Sequence, residues 1–267
     1  FNQDQRLALN ACNCWNDNDE AQLSINHLET FLRKGKAERH LIICYADSLN
    51  RLNRLRECND ILHKCIRNNQ NDKEIWIRIG LAHAKGRNLN EALEAFEKAN
   101  QIDPENLEVA SNRITLLKDL GRFDDAELLI KNLSLEKQHQ VDIAQATAGL
   151  LMAQNKLVEA TYLFRHICEK RPHQAHYWLN WAAALRGLRW TWAPYRILQR
   201  ALCYEPSNND VQEALIQILA EMAKNDASQR CIALWPTGSK QMKDIYLFNR
   251  QFLGVGTSQY DSEFLAD

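Results

Sequence analysis

KEIWIRIGLAHAKGRNLNEALEAFEKANQIDPEN, running from Lys73 to Asn106, reads as two amphipathic helices joined by a tight turn. Trp76, Ile79, Gly80 and His83 recur at helical spacing on the first helix, and Ala92, Phe96 and Ala99 do so on the second. Gly86-Arg87-Asn88 supplies the reversal between them, and Pro104 stops the second helix. Gly80 and Ala92 are small where two antiparallel helices must approach closely. Trp76 and Phe96 supply the volume beside them, so both are expected in the core.

The alanine of the second helix recurs at Ala126 and Ala160, each 34 residues after the last. Counting by that period places units at 5–38, 39–72, 73–106, 107–140, 141–174, 175–208 and 209–242 without a single insertion. The position of Trp76 is taken in turn by Ala8, Ile42, Ala110, Ala144, Trp178 and Gln212. The small position of Gly80 is taken by Cys12, Ala46, Ile114, Ala148, Ala182 and Ile216. Pro172 and Pro206 repeat the closing proline. The first unit and the last depart furthest, Gln212 and Ser228 in the last above all, as terminal repeats that close an array do.

Trp, Gly four residues on, Ala twelve later, then an aromatic, Ala and a closing Pro resemble the tetratricopeptide repeat, over residues 5 to about 235. The resemblance implies an all-α fold, a right-handed α-solenoid of about seven 34-residue antiparallel helix pairs, with the first helices lining a concave groove. It also implies a non-catalytic protein–protein interaction scaffold that takes an extended peptide or a partner helix. Residues 243–267 are expected to form a helical tail or linker. Phe1 stands where an initiator methionine would, so the chain is expected to be a piece of a longer protein.

Tyr177 to Thr191 resembles the end of the repeat array in O-linked GlcNAc transferases and their bacterial relatives, and Asp244 to Leu253 resembles the helix that links such arrays to the glycosyltransferase domain. That resemblance implies an alternative function, the substrate-recruiting arm of a larger glycosyltransferase-like enzyme. A second alternative is a self-assembly scaffold that docks through an unfinished solenoid end. Trp190-Thr191-Trp192 interrupts the repeat, with Thr191 placed to cap the following helix and Pro194 in its first turn. Together with Trp178 and Trp181 these indoles are expected to pack as a buried cluster, the alternative being a partner-binding patch.

Composition narrows the function classes. Lys and Arg total 33 against 34 Asp and Glu, so no global field favours nucleic acid or anionic lipid. No apolar run approaches the ~20 residues of a membrane helix, and the polar start FNQDQRLALN does not read as a signal peptide. Cys12, Cys58, Cys65, Cys168, Cys203 and Cys231 fall at packing positions, as reduced structural thiols of a cytoplasmic protein would. Cys12-Asn-Cys14 is too tight for the usual zinc spacing. His173 and His176 straddle an inter-repeat turn with no further ligand at matching spacing. Gly254-Val-Gly256 lacks the third glycine of a nucleotide loop. Neither a catalytic residue, a metal site nor a cofactor is expected.

The groove-facing position two residues after the Trp position holds Asn10, Cys44, Arg78, Asn112, Ala146, Asn180 and Ala214. An amide offers two donors and two acceptor sites to a passing peptide backbone. Asn10, Arg78, Asn112 and Asn180 are therefore the expected peptide contacts, with Lys85 and Lys118 adding charge. Glu74, Glu108, Asp142 and Asp210 open first helices, and Arg51, Lys85, Lys118 and Arg186 close them, as the helix macrodipole favours with or without a ligand. A terminal-carboxylate clamp of the co-chaperone kind is not expected: its positions hold Leu9, Asn13, Cys44, Glu74 and Arg78, and Glu74 would repel a carboxylate.

Overall fold

The computed structural model describes residues 3–33, 38–68, 71–190 and 192–225. Regular structure among them is helical throughout. It falls into two compact units, Phe1–Gln138 and His139–Asp267. The first unit holds α1 (Gln3–Asp17), α2 (Ala21–Arg33), α3 (Arg39–Arg51), α4 (Leu55–Asn68), α5 (Lys73–Lys85), α6 (Leu89–Ile102), α7 (Leu107–Asp119), α8 (Phe123–Asn132) and the short α9 (Leu135–Gln138). The second holds α10 (Val141–Ala153), α11 (Leu157–Lys170), α12 (Ala175–Gly187), α13 (Trp192–Tyr204) and α14 (Asn209–Asn225). First helices thus open at Arg39, Lys73, Leu107, Val141, Ala175 and Asn209, in step with the period of the sequence. Within each unit every helix but the short α9 packs on its chain neighbours, and α1 also meets α3, α3 meets α5 and α12 meets α14.

The periodic side chains form the core. In the first unit Cys12, Ala46, Gly80 and Ile114 are buried where the two helices of a pair close on each other, and Ala148 and Ala182 do the same in the second. Ile216, at the same position on α14, is half exposed. Opposite them lie Ser24, Cys58, Ala92 and Ala126, then Ala160 and Pro194. Volume comes from Leu28, Leu62 and Phe96, and from Phe164 and Leu198. Gly80 is glycine for a steric reason: a Cβ there would sit 2.7 Å from the Phe96 ring.

Trp76 departs from its expected place. It is only half buried, packs at the margin of the core, and carries Lys98 Nζ 4.3 Å above its ring. The indole is too large to enter beside Phe96, so it covers the helix pair from the side and leaves the centre to the phenylalanine.

Each reversal from first to second helix uses one geometry. Asp19, Asn53, Arg87, Gly121, Asn155 and Arg189, again 34 residues apart, are the described residues with positive φ. The residue after each donates its N–H to a carbonyl five residues back, as in Asn88 to His83 at 3.0 Å, Arg122 to Leu117 at 2.8 Å and Lys156 to Leu151 at 2.8 Å. This is the Schellman closure of a helix end. Gly121 is the glycine among the six, with φ +73° and nothing within 4 Å of where a Cβ would stand. Gly121→Ala is therefore expected to cost only the left-handed backbone penalty, about 1 kcal/mol, read as a shift in the urea midpoint at unchanged slope.

The unit at 107–140 breaks its second helix. Leu133 takes an extended conformation (φ −78°, ψ 144°), ending α8 after ten residues. Gln138 Nε2 then donates to the carbonyls of Ile130 (3.0 Å) and Leu133 (2.8 Å), satisfying groups the interrupted helix leaves behind.

The tryptophans serve the second unit's core. Trp178 and Trp181 are 2% and 5% exposed and stack at 6.0 Å, and Trp178 Nε1 donates to the Pro172 carbonyl at 2.8 Å. Trp190 and Trp192 are half buried against the same core, and Pro194 falls in the first turn of α13. Thr191, Ser228, Cys231, Gly254-Val-Gly256 and the tail at 243–267 lie outside the described residues.

Charge stitches repeat to repeat. Asp72 caps α5, its Oδ1 accepting from the N–H groups of Glu74 (3.1 Å) and Ile75 (3.4 Å). Arg39, the first residue of α3, grips both carboxylate oxygens, with Nη2 to Oδ1 at 2.7 Å. Inside the unit at 73–106, Lys73 pairs with Asp103 at the end of α6.

Candidate functional site

The inner faces of α1, α3 and α5 enclose a depression of about 540 Å³. Asn13, Asn16 and Asp17 come from α1, Asp47, Asn50 and Arg51 from α3, and Arg78 and Lys85 from α5. Every lining side chain is polar. They stand together because each position recurs on the same face of successive first helices: 13 with 47, 16 with 50, and 17 with 51 and 85.

Arg78 is held rather than free. Its Nε lies 2.8 Å from Asp47 Oδ1 and its Nη2 lies 2.9 Å from Glu74 Oε1. Burial raises the Asp47 carboxyl above the ordinary aspartate range, and the Arg78 guanidinium opposes that rise. Lys85 is exposed, with Nζ donating to the main-chain carbonyl of Asn50 near the end of α3. Arg51 stands 3.7 Å from Asp19, both side chains well exposed. Asn50 Oδ1 is buried without a hydrogen-bond partner.

A second polar layer braces the wall from behind. The Cys44 thiol donates to Asn13 Oδ1 at 3.5 Å and accepts from Asn16 Nδ2 at 3.7 Å. Asn16 Oδ1 in turn accepts from Ser48 Oγ at 3.0 Å, and Ser48 reaches Ser24 Oγ at 2.9 Å. The neighbouring Cys44 thiol draws the Cys12 thiol down, Cys12 and burial push Cys44 up, and burial is the main push that takes Cys58 and Cys168 up to about 12. Cys12, Asn16, Ser24 and Ser48 are all buried, so the groove wall rests on a satisfied network with little freedom to move.

Of the six residues expected in the groove, Arg78 and Lys85 line the depression. Asn10 is exposed on α1, outside it. Asn112 and Lys118 lie on α7, where Asn112 Nδ2 donates to its own helix at the Glu108 carbonyl (2.9 Å) and Lys118 Nζ sits 3.0 Å from Asp119. Asn180 is half buried on α12, in the second unit. Sequence reasoning followed a single row of contacts and passed over Asn16, Asp17, Asp47 and Asn50, which lie one and two turns further along the same faces, and it placed Arg51 only as the basic close of a first helix.

Residues 83–150 match the tetratricopeptide repeat family. Those residues carry the tetratricopeptide repeat. Solved structures share the tetratricopeptide fold at low identity. The type IV pilus biogenesis factor PilW is 16% identical with a TM-score of 0.65, the match covering 80% of this chain and 100% of that one. A thermophilic tetratricopeptide protein of Thermus thermophilus is 16% identical with a TM-score of 0.60, over 68% and 99%. PilF of Pseudomonas aeruginosa is 13% identical with a TM-score of 0.58, over 80% and 97%. No curated protein matches the chain. Among the described residues, no helix is long and apolar enough to cross a membrane, and no three His, Cys, Asp or Glu side chains gather as metal ligands would.

Proposed function

We propose that the chain is a non-catalytic interaction scaffold that holds an extended peptide in the depression formed by α1, α3 and α5. The carrying observation is that this depression is polar along its whole lining. An amphipathic helix would press apolar side chains on these groups and desolvate them without return, since its own main-chain groups are already paired. An extended segment instead offers unpaired N–H and C=O groups that Asn13 and Asn50 can meet. The buried, unpartnered Oδ1 of Asn50 is an acceptor that a ligand N–H would satisfy. A ligand continuing along the first unit would reach Asn112 and Lys118 on α7.

The test is selection of a random peptide display library against the full chain, repeated with an Asn13→Ala/Asn50→Ala variant. Two lost hydrogen bonds are expected to weaken the selected peptides by about tenfold, with a urea midpoint close to that of the parent. Failure to enrich any peptide, or enrichment indifferent to both asparagines, overturns the proposal.

A further inference from the structure

The ends of the three lining helices carry a charge row that specifies the ligand further. Asp17 closes α1, Arg51 closes α3 and Lys85 closes α5, at one register position, all exposed and all bordering the depression. The row therefore reads negative, positive, positive. Arg78 does not add to it, because Asp47 and Glu74 already flank its guanidinium. The two cations of the row are lightly engaged. Arg51 faces Asp19 at 3.7 Å across solvent that screens the pair, and Lys85 rests on a main-chain carbonyl that carries no net charge.

Resting on the peptide reading above, we propose that the natural ligand is an extended segment presenting two acidic side chains three residues apart, one to Arg51 and one to Lys85. The spacing follows from geometry. Packed helices lie about 10 Å apart, axis to axis. A polyproline-II segment advances about 3.1 Å per residue with three residues per turn, so its residues i and i+3 share one face about 9 Å apart. A β-strand returns to the same face after two residues, about 6.6 Å, which falls short of one helix step. The polyproline-II backbone also makes no internal hydrogen bonds, leaving its carbonyls and the N–H groups of its non-proline residues for Asn13 and Asn50. Asp17, one helix further along, favours a basic residue in the ligand at the matching distance.

Fluorescence polarisation of end-capped, labelled peptides against the full chain tests this. The core sequences are Glu-Pro-Pro-Glu, Gln-Pro-Pro-Gln, Lys-Pro-Pro-Lys, and Glu-Glu-Pro-Pro with the acids adjacent. Glu-Pro-Pro-Glu is expected to bind five- to tenfold more tightly than its glutamine twin, roughly what two rim ion pairs contribute. That advantage should shrink as salt rises from about 20 to about 150 mM. An Arg51→Glu/Lys85→Glu chain should turn the preference to Lys-Pro-Pro-Lys, and Arg51→Gln/Lys85→Gln, which keeps the helix ends uncharged, should erase it. Equal binding of the glutamate and glutamine peptides, lost in Asn13→Ala/Asn50→Ala, overturns the acidic pair while the peptide groove stands. Equal binding of adjacent and spaced acids overturns the spacing. Absence of binding by every peptide overturns both the acidic pair and the groove.

Discussion

Phe96→Ala is expected to lower the unfolding free energy by about 3–5 kcal/mol, the largest loss of any single side chain considered. Phe96 is fully buried, and its ring fills the space that Gly80 leaves on the facing helix, so truncation opens a void that neither backbone can close. Urea unfolding of the variant reports the loss. Trp76→Ala, which removes a larger side chain, is expected to cost less, because that indole is half exposed and trades much of its contact for solvent. A Trp76→Ala loss equal to that of Phe96→Ala would show that the indole and not the phenyl ring carries the pair.

Asp72→Ala is expected to cost about 2 kcal/mol, about half of it from the lost helix cap and the rest from the Arg39 guanidinium left without its carboxylate. Arg39 keeps 40% of its side chain in solvent, which limits the second part. Arg39 holds the Asp72 carboxyl below the ordinary aspartate range, a pull that burial partly opposes. A carboxyl lowered on folding stabilises the native state above its unfolded value near 3.9, and that contribution fades as pH falls through the folded value. The stability gap between the parent and Asp72→Asn should therefore be level from about pH 5 to 8 and close at lower pH. A gap that widens on acidification would contradict the ion pair as its source.

The repeat was legible because close approach of two helices demands small residues at fixed places, and Ala92, Ala126 and Ala160 record that demand directly. The burial of Phe96 followed from the same periodicity. The place of Trp76 did not, since size alone cannot say whether an indole enters a core or roofs it. The break at Leu133 was signalled weakly, by Ser134 and the missing proline where the unit at 107–140 should close. The depression was half legible. Its face was readable from register, and Arg78 and Lys85 lie on it. The depression, however, is made by where helices end as well as by which way they face, so Asp17 and Asn50 emerge only once α1 and α3 are seen to stop there, and Arg51, legible as the basic close of a first helix, gains its place beside them. Arg78 looked like a free cation because its partners, Asp47 and Glu74, are a helix away in one case and a turn away in the other.

The six left-handed turn residues bear on how such a protein can change over generations. Main-chain hydrogen bonds hold each reversal, so aspartate, asparagine, arginine and glycine all serve there. Cutting the gene at two of these turns and rejoining it removes or duplicates a whole cassette, and the joint asks for no particular side chain. Each cassette gained or lost adds or deletes one stripe of the inner face. For a ligand held as proposed, length thus becomes adjustable by recombination, in steps of one helix pair, while chemistry is tuned by point mutation.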